Sequence, residues 1–326
     1  GKLPRPVVQD DLNAMKAGFE VRSQGLLIRY VQQKMDPGAK ATGTVSGDIA
    51  ASLISIRNQL VNYLPVKTAI VAALDGIIST HHVTKPDLWT PTLVTLAPDA
   101  KASPVRIAIW DGGVDTALFK DQLYTDAEGH HGVAFDLHSN RVPDLLYPLG
   151  EAQARWPDGL ARLKGFLDVT ASIDSPEAAA LKHYMSALKP DQVKPTIEDL
   201  NLFSGYAHGT HVTGIAFAGN PFAGMVVGRI TYPYTMMPEK PTVEQARKDA
   251  ASYPVIVGYF KQAGVRVVNM SWGGSLRSVE DDLEANGVAD PAERKKQARE
   301  IFDIGRDALR ASLALLVIDA SEGITR

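Results

Sequence analysis

A pair of histidines in a small, apolar segment is the stretch of this chain best suited to chemistry. Residues 206–216 read Tyr-Ala-His-Gly-Thr-His-Val-Thr-Gly-Ile-Ala. The apolar run after His208 predicts a helix with His208 near its N-terminus, and the small Gly209 beside it lets a ligand come close. Gly214 is expected to allow close packing of that helix on a neighbour. Two histidines three residues apart could bind a metal ion, but no acidic third ligand lies nearby, so two structural histidines explain the segment equally well.

Two further stretches place a polar residue directly after an apolar run. Residues 105–110 precede Asp111-Gly-Gly, and residues 265–270 precede Ser271-Trp-Gly-Gly. Alternating strands and helices around them predict a parallel sheet, and ligand sites collect at the carboxyl ends of such strands. The alternative interpretations are a capping aspartate before a turn and a glycine turn after a core strand.

Taken in chain order, the three stretches resemble the subtilisin-like serine peptidases. That family has an apolar strand ending in Asp-(Ser/Thr)-Gly, then His-Gly-Thr-His-Val-Ala-Gly, then Asn-Met-Ser-x-Gly-Gly. This chain departs from the pattern at Gly112, where the family has Ser or Thr, and at Thr213, where it has Ala. The family's second histidine, here His211, is structural. The resemblance covers residues 105–274 and implies an α/β fold, a three-layer domain around a parallel sheet.

The resemblance implies a serine endopeptidase in which His208 is the general base and Asp111 orients it. The residue types suit these roles, because imidazole titrates near neutral pH and a carboxylate can accept its second ring proton. Ser271, Trp272 and Gly273 would form the strand edge that binds a peptide or protein substrate through main-chain pairing.

Two parts of that machinery are missing from the sequence. The family nucleophile lies in a Gly-Thr-Ser-Met-Ala segment, which these 326 residues do not contain. The family's oxyanion-hole Asn follows the next strand, expected here at residues 313–318, and Ser321 stands near the expected position. We therefore expect that the nucleophilic serine lies outside this chain, that the C-terminal part of the domain is missing, and that this fragment is inactive.

The rest of the chain must position these residues, and its sequence predicts two structural regions. Residues 1–98 predict a helical N-terminal extension or pro-region, and residues 99–326 predict the incomplete peptidase domain. Asp111 and His208 are separated by 96 residues, most of which belong to an insertion at about 120–203. Periodicity and helix-breaking residues predict the following local structure. Helices are expected at 10–35 (ended by Asp-Pro-Gly), 48–63, 66–79, 151–169, 175–188 and 290–312, with a polar return at 192–201 and a helix break at Pro254.

Composition limits the remaining possibilities. The chain is 45% hydrophobic and 22% charged with a net charge of -3, which gives no reason to expect a nucleic-acid partner. It has no cysteine, so disulfides and thiol catalysis are excluded. We see no signal peptide and no apolar run of about 18 residues, so no membrane span is expected. Secretion or a cell-envelope location is implied by the resemblance alone.

Metal sites and other activities are less well supported. Calcium is possible by family resemblance, but the sequence offers no ligand set that can be assigned. His130, His131 and His138 are better interpreted as loop histidines than as a metal site. A non-catalytic relative that binds peptides is the main alternative function. An aspartyl phosphotransferase is disfavoured because Asp111 and Asp115 are four residues apart, and a nucleotide-binding loop is disfavoured because the glycine spacing is wrong.

Overall fold

The computed structural model describes residues 5–84, 87–88 and 90–324. The chain forms two compact units. The first, here called the helical unit, comprises Gly1–Thr92, Glu151–Phe203 and Thr235–Met237, and the second, the sheet unit, comprises Leu93–Gly150, Ser204–Tyr234 and Pro238–Arg326. The expected boundary at residue 98 falls close to the change of unit at Leu93. The expected insertion at 120–203 is shared, with residues 120–150 in the sheet unit and 151–203 in the helical unit.

Eleven α-helices and five strands make up the described chain. The helices are α1 (Arg5–Val21), α2 (Gln24–Tyr30), α3 (Asp36–Thr42), α4 (Gly47–Asn58), α5 (Lys67–Thr80), α6 (Trp156–Thr170), α7 (Pro176–Ser186), α8 (Pro190–Phe217), α9 (Val243–Gln262), α10 (Leu276–Ala285) and α11 (Pro291–Ile324). The strands are β1 (Val105–Asp111), β2 (Gly132–Phe135), β3 (Arg141–Val142), β4 (Ala223–Arg229) and β5 (Val267–Asn269).

The N-terminal part is helical, as expected, but one predicted stop is wrong. The helix expected at 10–35 is divided, because α1 ends at Val21 and α2 begins at Gln24. The chain then stays helical past residues 36–38, where Pro37 lies in the first turn of α3. A proline at this position removes no helical hydrogen bond, because the N–H groups of a first turn have no partner within the helix. The predicted helices at 48–63 and 66–79 are confirmed as α4 and α5, and the short helical turns Gln59–Tyr63 and Leu64–Val66 join them.

This joined stretch, Gly47–Thr80, is long and apolar enough to cross a membrane by length and composition. Its most apolar window has a mean hydropathy of 1.3, and only 6% of that window is buried. The helices predicted at 48–63 and 66–79 were separate, because Pro65 between them is a residue that usually ends a helix. One such helix is weak evidence for a membrane span, because core helices and signal sequences pass the same test. The expectation of no membrane span remains a prediction.

The polar return predicted at 192–201 is wrong, because these residues form the first turns of α8. Val193, Ile197 and Leu200 fall on one face of the helix at spacings of four and three residues. That face packs in a cluster of the helical unit that also contains Leu181 and Met185. The apolar periodicity is present in the sequence, but the intervening charged residues hide it.

The sheet unit is built on five strands in the order β3-β2-β4-β1-β5. β1 pairs in parallel with β4 and β5, β2 pairs in parallel with β4, and β3 is antiparallel to β2. β1 is therefore an interior strand, and its Ala108, Ile109 and Trp110 are fully buried. Because β1 is held on both sides, the residue at its carboxyl end has a fixed position.

Helices cover both faces of this sheet. On one face, Ile256 and Phe260 of α9 pack against Trp110, together with side chains of α11. On the other face, Val212 and Phe217 near the end of α8 pack on the opposite side of the strands. The expected three-layer α/β domain with a helical N-terminal part is confirmed.

Pro254 does not interrupt α9, contrary to the prediction. The helix runs from Val243 to Gln262 with Pro254 on its exposed side. A proline inside a helix costs about 3 kcal/mol. Burying Ile256 and Phe260 against the sheet contributes about 1.5–3 kcal/mol each, so packing outweighs the break.

Two other predicted strands differ from the structure. β5 was expected to be a buried strand at 265–270, but it has three residues and Val267 is 51% exposed. The reason is its place at the sheet edge, where only β1 pairs with it. The strand expected at 313–318 is wrong, because α11 continues through these residues. Ala and Leu dominate the run, and both favour helix over strand.

Candidate active site

Asp111 lies at the carboxyl end of β1, and the predicted contact with His208 is present. Asp111 is 1% exposed. Its Oδ1 accepts a hydrogen bond from the N–H of Gly112 at 2.7 Å and lies 2.8 Å from His208 Nδ1. A carboxylate oxygen at Nδ1 favours the tautomer that carries its proton there, which leaves Nε2 as the basic nitrogen.

His208 lies well inside α8, a helix of 28 residues, and not near a helix N-terminus as predicted. The preceding residues 190–207 are also helical, which the sequence analysis had not expected. The His208 side chain is 45% exposed. Within the described residues, Nε2 forms no hydrogen bond, so this nitrogen is available to take a proton from an incoming hydroxyl.

Glycines allow the turn after β1 to come close enough to α8 for this contact. A Cβ at Gly112 would lie 2.9 Å from the carbonyl oxygen of Gly205, and one at Gly209 would overlap the carbonyl oxygen of Gly113. Gly113 also has φ of 115°, which disfavours any other residue. The departure from the family pattern at Gly112 therefore has a physical reason: the helix backbone occupies the space of a side chain.

The second departure, at Thr213, is also accommodated. Thr213 is fully buried, and its hydroxyl donates to the carbonyl oxygen of Gly209 at 2.7 Å. One turn earlier, Thr210 Oγ1 accepts the N–H of Asp115 at 2.9 Å. These bonds satisfy both hydroxyls and tie the chain after β1 to the helix that carries His208.

We expect Gly209→Ala to lower the free energy of unfolding by about 1–3 kcal/mol, because its methyl group needs space held by the Gly113 carbonyl. Gly214→Ala is the matched control on the same helix, where a Cβ would meet nothing within 4 Å. It should raise the free energy by about 0.5–1 kcal/mol. Urea unfolding of both variants measures the difference, and equal values would contradict the close approach.

Two residues that the sequence analysis missed surround this pair. Tyr232, beyond the end of β4, has a ring carbon 4.0 Å from the position of a Cβ on Gly112. Loss of solvent and the charge of Asp111 raise the pKa of Tyr232. Arg229, which is 2% exposed, donates to the carbonyl oxygen of Asp144 at 2.6 Å and so holds a loop beside Gly113. Their position at and just beyond the carboxyl end of β4, a strand adjacent to β1, was the available signal.

The three residues predicted to bind substrate begin two positions after the end of the edge strand β5. Ser271 and Gly273 are exposed, and Ser271 Oγ donates to Asn269 Oδ1 at 3.0 Å. Trp272 is partly buried, with its ring centroid 5.3 Å from that of Trp110. An exposed main chain beside a fixed indole is available to a peptide strand.

The other histidines have no catalytic arrangement. His211 is exposed, so the structural role implied by the resemblance is not seen in the described residues. His130 is 54% exposed and lies near Asp126, His131 bonds to the carbonyl oxygen of Tyr124 at 2.9 Å, and His138 is exposed. Among the residues described, no group of three or more His, Asp or Glu could hold a metal ion, so the calcium that the resemblance allows has no assigned ligands.

Comparison with protein-family models matches residues 67–317 to the model described as the subtilase family. The match covers more than half of the chain and includes the segments of Asp111, His208 and Ser271. No curated protein and no solved structure gives a significant match to the chain.

Proposed function

Because the chain belongs to the subtilase family, a family of serine peptidases, we propose that it carries the base and carboxylate of a serine endopeptidase. Asp111 and His208 have these roles, and residues 271–273 bind the peptide substrate. The serine that His208 activates lies in a part of the protein outside this 326-residue chain. The observation that carries this proposal is the 2.8 Å contact between Asp111 and His208 with Nε2 unbonded.

The geometry supports the following steps. A peptide pairs its main chain with residues 271–273, which presents a carbonyl carbon to the serine. As the serine oxygen attacks that carbon, its proton moves to His208 Nε2, and the carbonyl becomes an oxyanion. His208 then gives the proton to the leaving amine as the C–N bond breaks, which leaves the acyl group on the serine. A water molecule, deprotonated by the same nitrogen, attacks this ester, and the proton returns to the serine oxygen as the acid product leaves. Asp111 holds the ring orientation and stabilises the imidazolium while it carries both protons.

An uncovered face of α8 supports a serine supplied by another segment. His211 lies one turn beyond His208 and Gly214 and Ile215 about two turns beyond it, on one side of the helix, and Ala218 follows the helix end. Ile215 is 68% exposed, and a Cβ on Gly214 would meet nothing within 4 Å. The close packing expected at Gly214 is thus absent among the described residues. We propose that this face, here called the α8 face, receives the segment that carries the serine.

A fluorophosphonate probe, which labels activated serines, tests the proposal. The 326-residue chain should not be labelled, because the base has no serine to activate. A longer form with the Gly-Thr-Ser-Met-Ala segment, here called the serine-bearing protein, should be labelled. Labelling of the short chain would assign the nucleophile to a serine such as Ser271 or Ser321. A folded serine-bearing protein that stays unlabelled would favour a non-catalytic peptide binder.

We also propose that the substrate is a peptide or protein and that the protein acts outside the cell or in the cell envelope. The first part depends on the open main chain of residues 271–273, and the second on the family resemblance alone.

A further inference from the structure

The sheet unit contains a cleft of about 510 Å³ at the carboxyl ends of β2 and β4, next to the predicted substrate strand. The first turns of α9 and residues 272–274 form two of its walls. We propose that this cleft binds a cationic side chain of the substrate, with arginine preferred over lysine. This inference rests on the proposed function, because it takes the peptide that pairs with residues 271–273 as the ligand.

One wall of the cleft is aromatic and fixed in place. Trp272 and Tyr253 line it with ring centroids 6.3 Å apart and planes at 35°. Behind them, the fully buried Trp110 contacts both rings edge-on, at 5.3 Å and 5.8 Å. Aromatic faces attract cations, and a planar guanidinium also stacks on them.

Carboxylates line the same cleft. Asp249 precedes Tyr253 by one helical turn, and its Oδ1 accepts the Ser139 hydroxyl at 2.5 Å and the Gln245 amide at 2.7 Å. Within the described part of the chain, no lysine or arginine forms an ion pair with Asp249. These two neutral donors hold the carboxylate in position without neutralising its charge.

A second carboxylate reinforces this charge. Burial opposes ionisation of Asp136, but hydrogen bonds from the Asn140 side chain and from the N–H groups of Asn140 and His138 outweigh it and lower the pKa of Asp136. Asp136 is therefore negative at neutral pH. The lining also includes Glu239, with Lys240 and His138 as the residues that can carry a positive charge.

Other occupants fit this arrangement less well. An acidic side chain would be repelled, and an apolar one would remove water from Asp249 without giving its charge a partner. A guanidinium matches both surfaces, because it can donate two parallel hydrogen bonds to a carboxylate while its plane lies against Trp272. Lysine supplies the charge without the planar contact.

Binding of short peptides to the 326-residue chain tests this inference without any catalysis. The peptides are capped at both ends and differ at one position, which carries arginine, its neutral isostere citrulline, lysine, norleucine or glutamate, and each position is varied in turn. Calorimetry should show one position where arginine binds roughly tenfold more tightly than citrulline, as expected for one charge-assisted hydrogen bond.

Asp249→Asn should abolish the preference for arginine over citrulline, because it keeps the acceptor for Ser139 and removes the charge. Glu244→Gln is the matched control on the same helix, since Glu244 is exposed and pairs with Lys248 at 3.1 Å outside the cleft. It should keep the preference. Equal binding of arginine and citrulline peptides, a preference that survives in Asp249→Asn, or no binding by any peptide would each overturn the inference.

These outcomes are independent of the fluorophosphonate test. If the serine-bearing protein is labelled but no peptide shows an arginine preference, the peptidase proposal stands and the cationic subsite is wrong. An arginine preference without labelling would leave a peptide-binding protein that selects a positive charge.

Discussion

Replacing His208 by Ala in the serine-bearing protein is expected to lower peptide hydrolysis by on the order of 10⁶. The serine would keep its position but would have no nearby base to accept its proton. Asp111→Asn should lower the rate of peptide hydrolysis by about 10⁴. The amide can either accept from His208 Nδ1 or donate to it, so it no longer fixes the tautomer that leaves Nε2 basic. Rates with a fluorogenic peptide and labelling by the fluorophosphonate probe should fall together.

The control is His130→Ala, which removes an exposed histidine side chain of the same unit that lies near Asp126 and Glu128. Its rate should match that of the unchanged protein. Circular dichroism must show that the His208 and Asp111 variants remain folded. If either folded variant kept the full rate, the assignment of base and carboxylate would be wrong.

The contact between Asp111 and His208 could be predicted from the sequence, although 96 residues separate them. The prediction depended on motif order and on the rule that ligand sites collect at the carboxyl ends of parallel strands. Neither source predicts how the intervening chain folds. Residues 151–203, which are more than half of the intervening chain, belong to the helical unit, so the spacing in sequence carries no information about the distance in space.

The errors in the prediction arise where tertiary packing outweighs a local signal. Pro254 and Pro37 were expected to break helices, but one lies on an exposed face opposite buried residues and the other lies in a first turn. The error at residues 313–318 has the opposite cause, because a strand was expected there from the family pattern and against the local preference. There the local preference of alanine and leucine for helix prevails.

The reason for Gly112 could not be read from the sequence at all. The family pattern has a hydroxyl residue there, so glycine looked like an unexplained loss. The structure shows that the carbonyl oxygen of Gly205, 93 positions later in the chain, fills the space. Contacts of this kind depend on the exact depth at which a helix packs, and neither periodicity nor composition specifies that depth.

The cleft beside Trp272 was also only partly foreseen. Trp272 could be placed at the substrate strand from the sequence, because it lies inside a motif. Asp136 and Asp249 belong to different elements, and neither lies in a motif, so their approach to Trp272 appears only once β2 and α9 are packed. Substrate preference is therefore harder to predict from sequence than the catalytic pair.

Gly214→Leu should reduce labelling and hydrolysis by the serine-bearing protein by at least about 10², although it touches neither Asp111 nor His208. The leucine side chain would occupy the α8 face and displace the segment that carries the serine. A displacement of about 1 Å at a reacting group can cost this much. In the 326-residue chain the same change should not lower stability, because a Cβ at Gly214 meets nothing within 4 Å.

Gly76→Leu is the matched control, since Gly76 is also an exposed helical glycine with open space around its Cβ position. It should leave labelling of the serine-bearing protein unchanged. A Gly214→Leu protein that is labelled at the normal rate would show that the α8 face stays uncovered in the active enzyme. The serine would then have to reach His208 Nε2 from another direction, because that nitrogen is the acceptor that the pair leaves free.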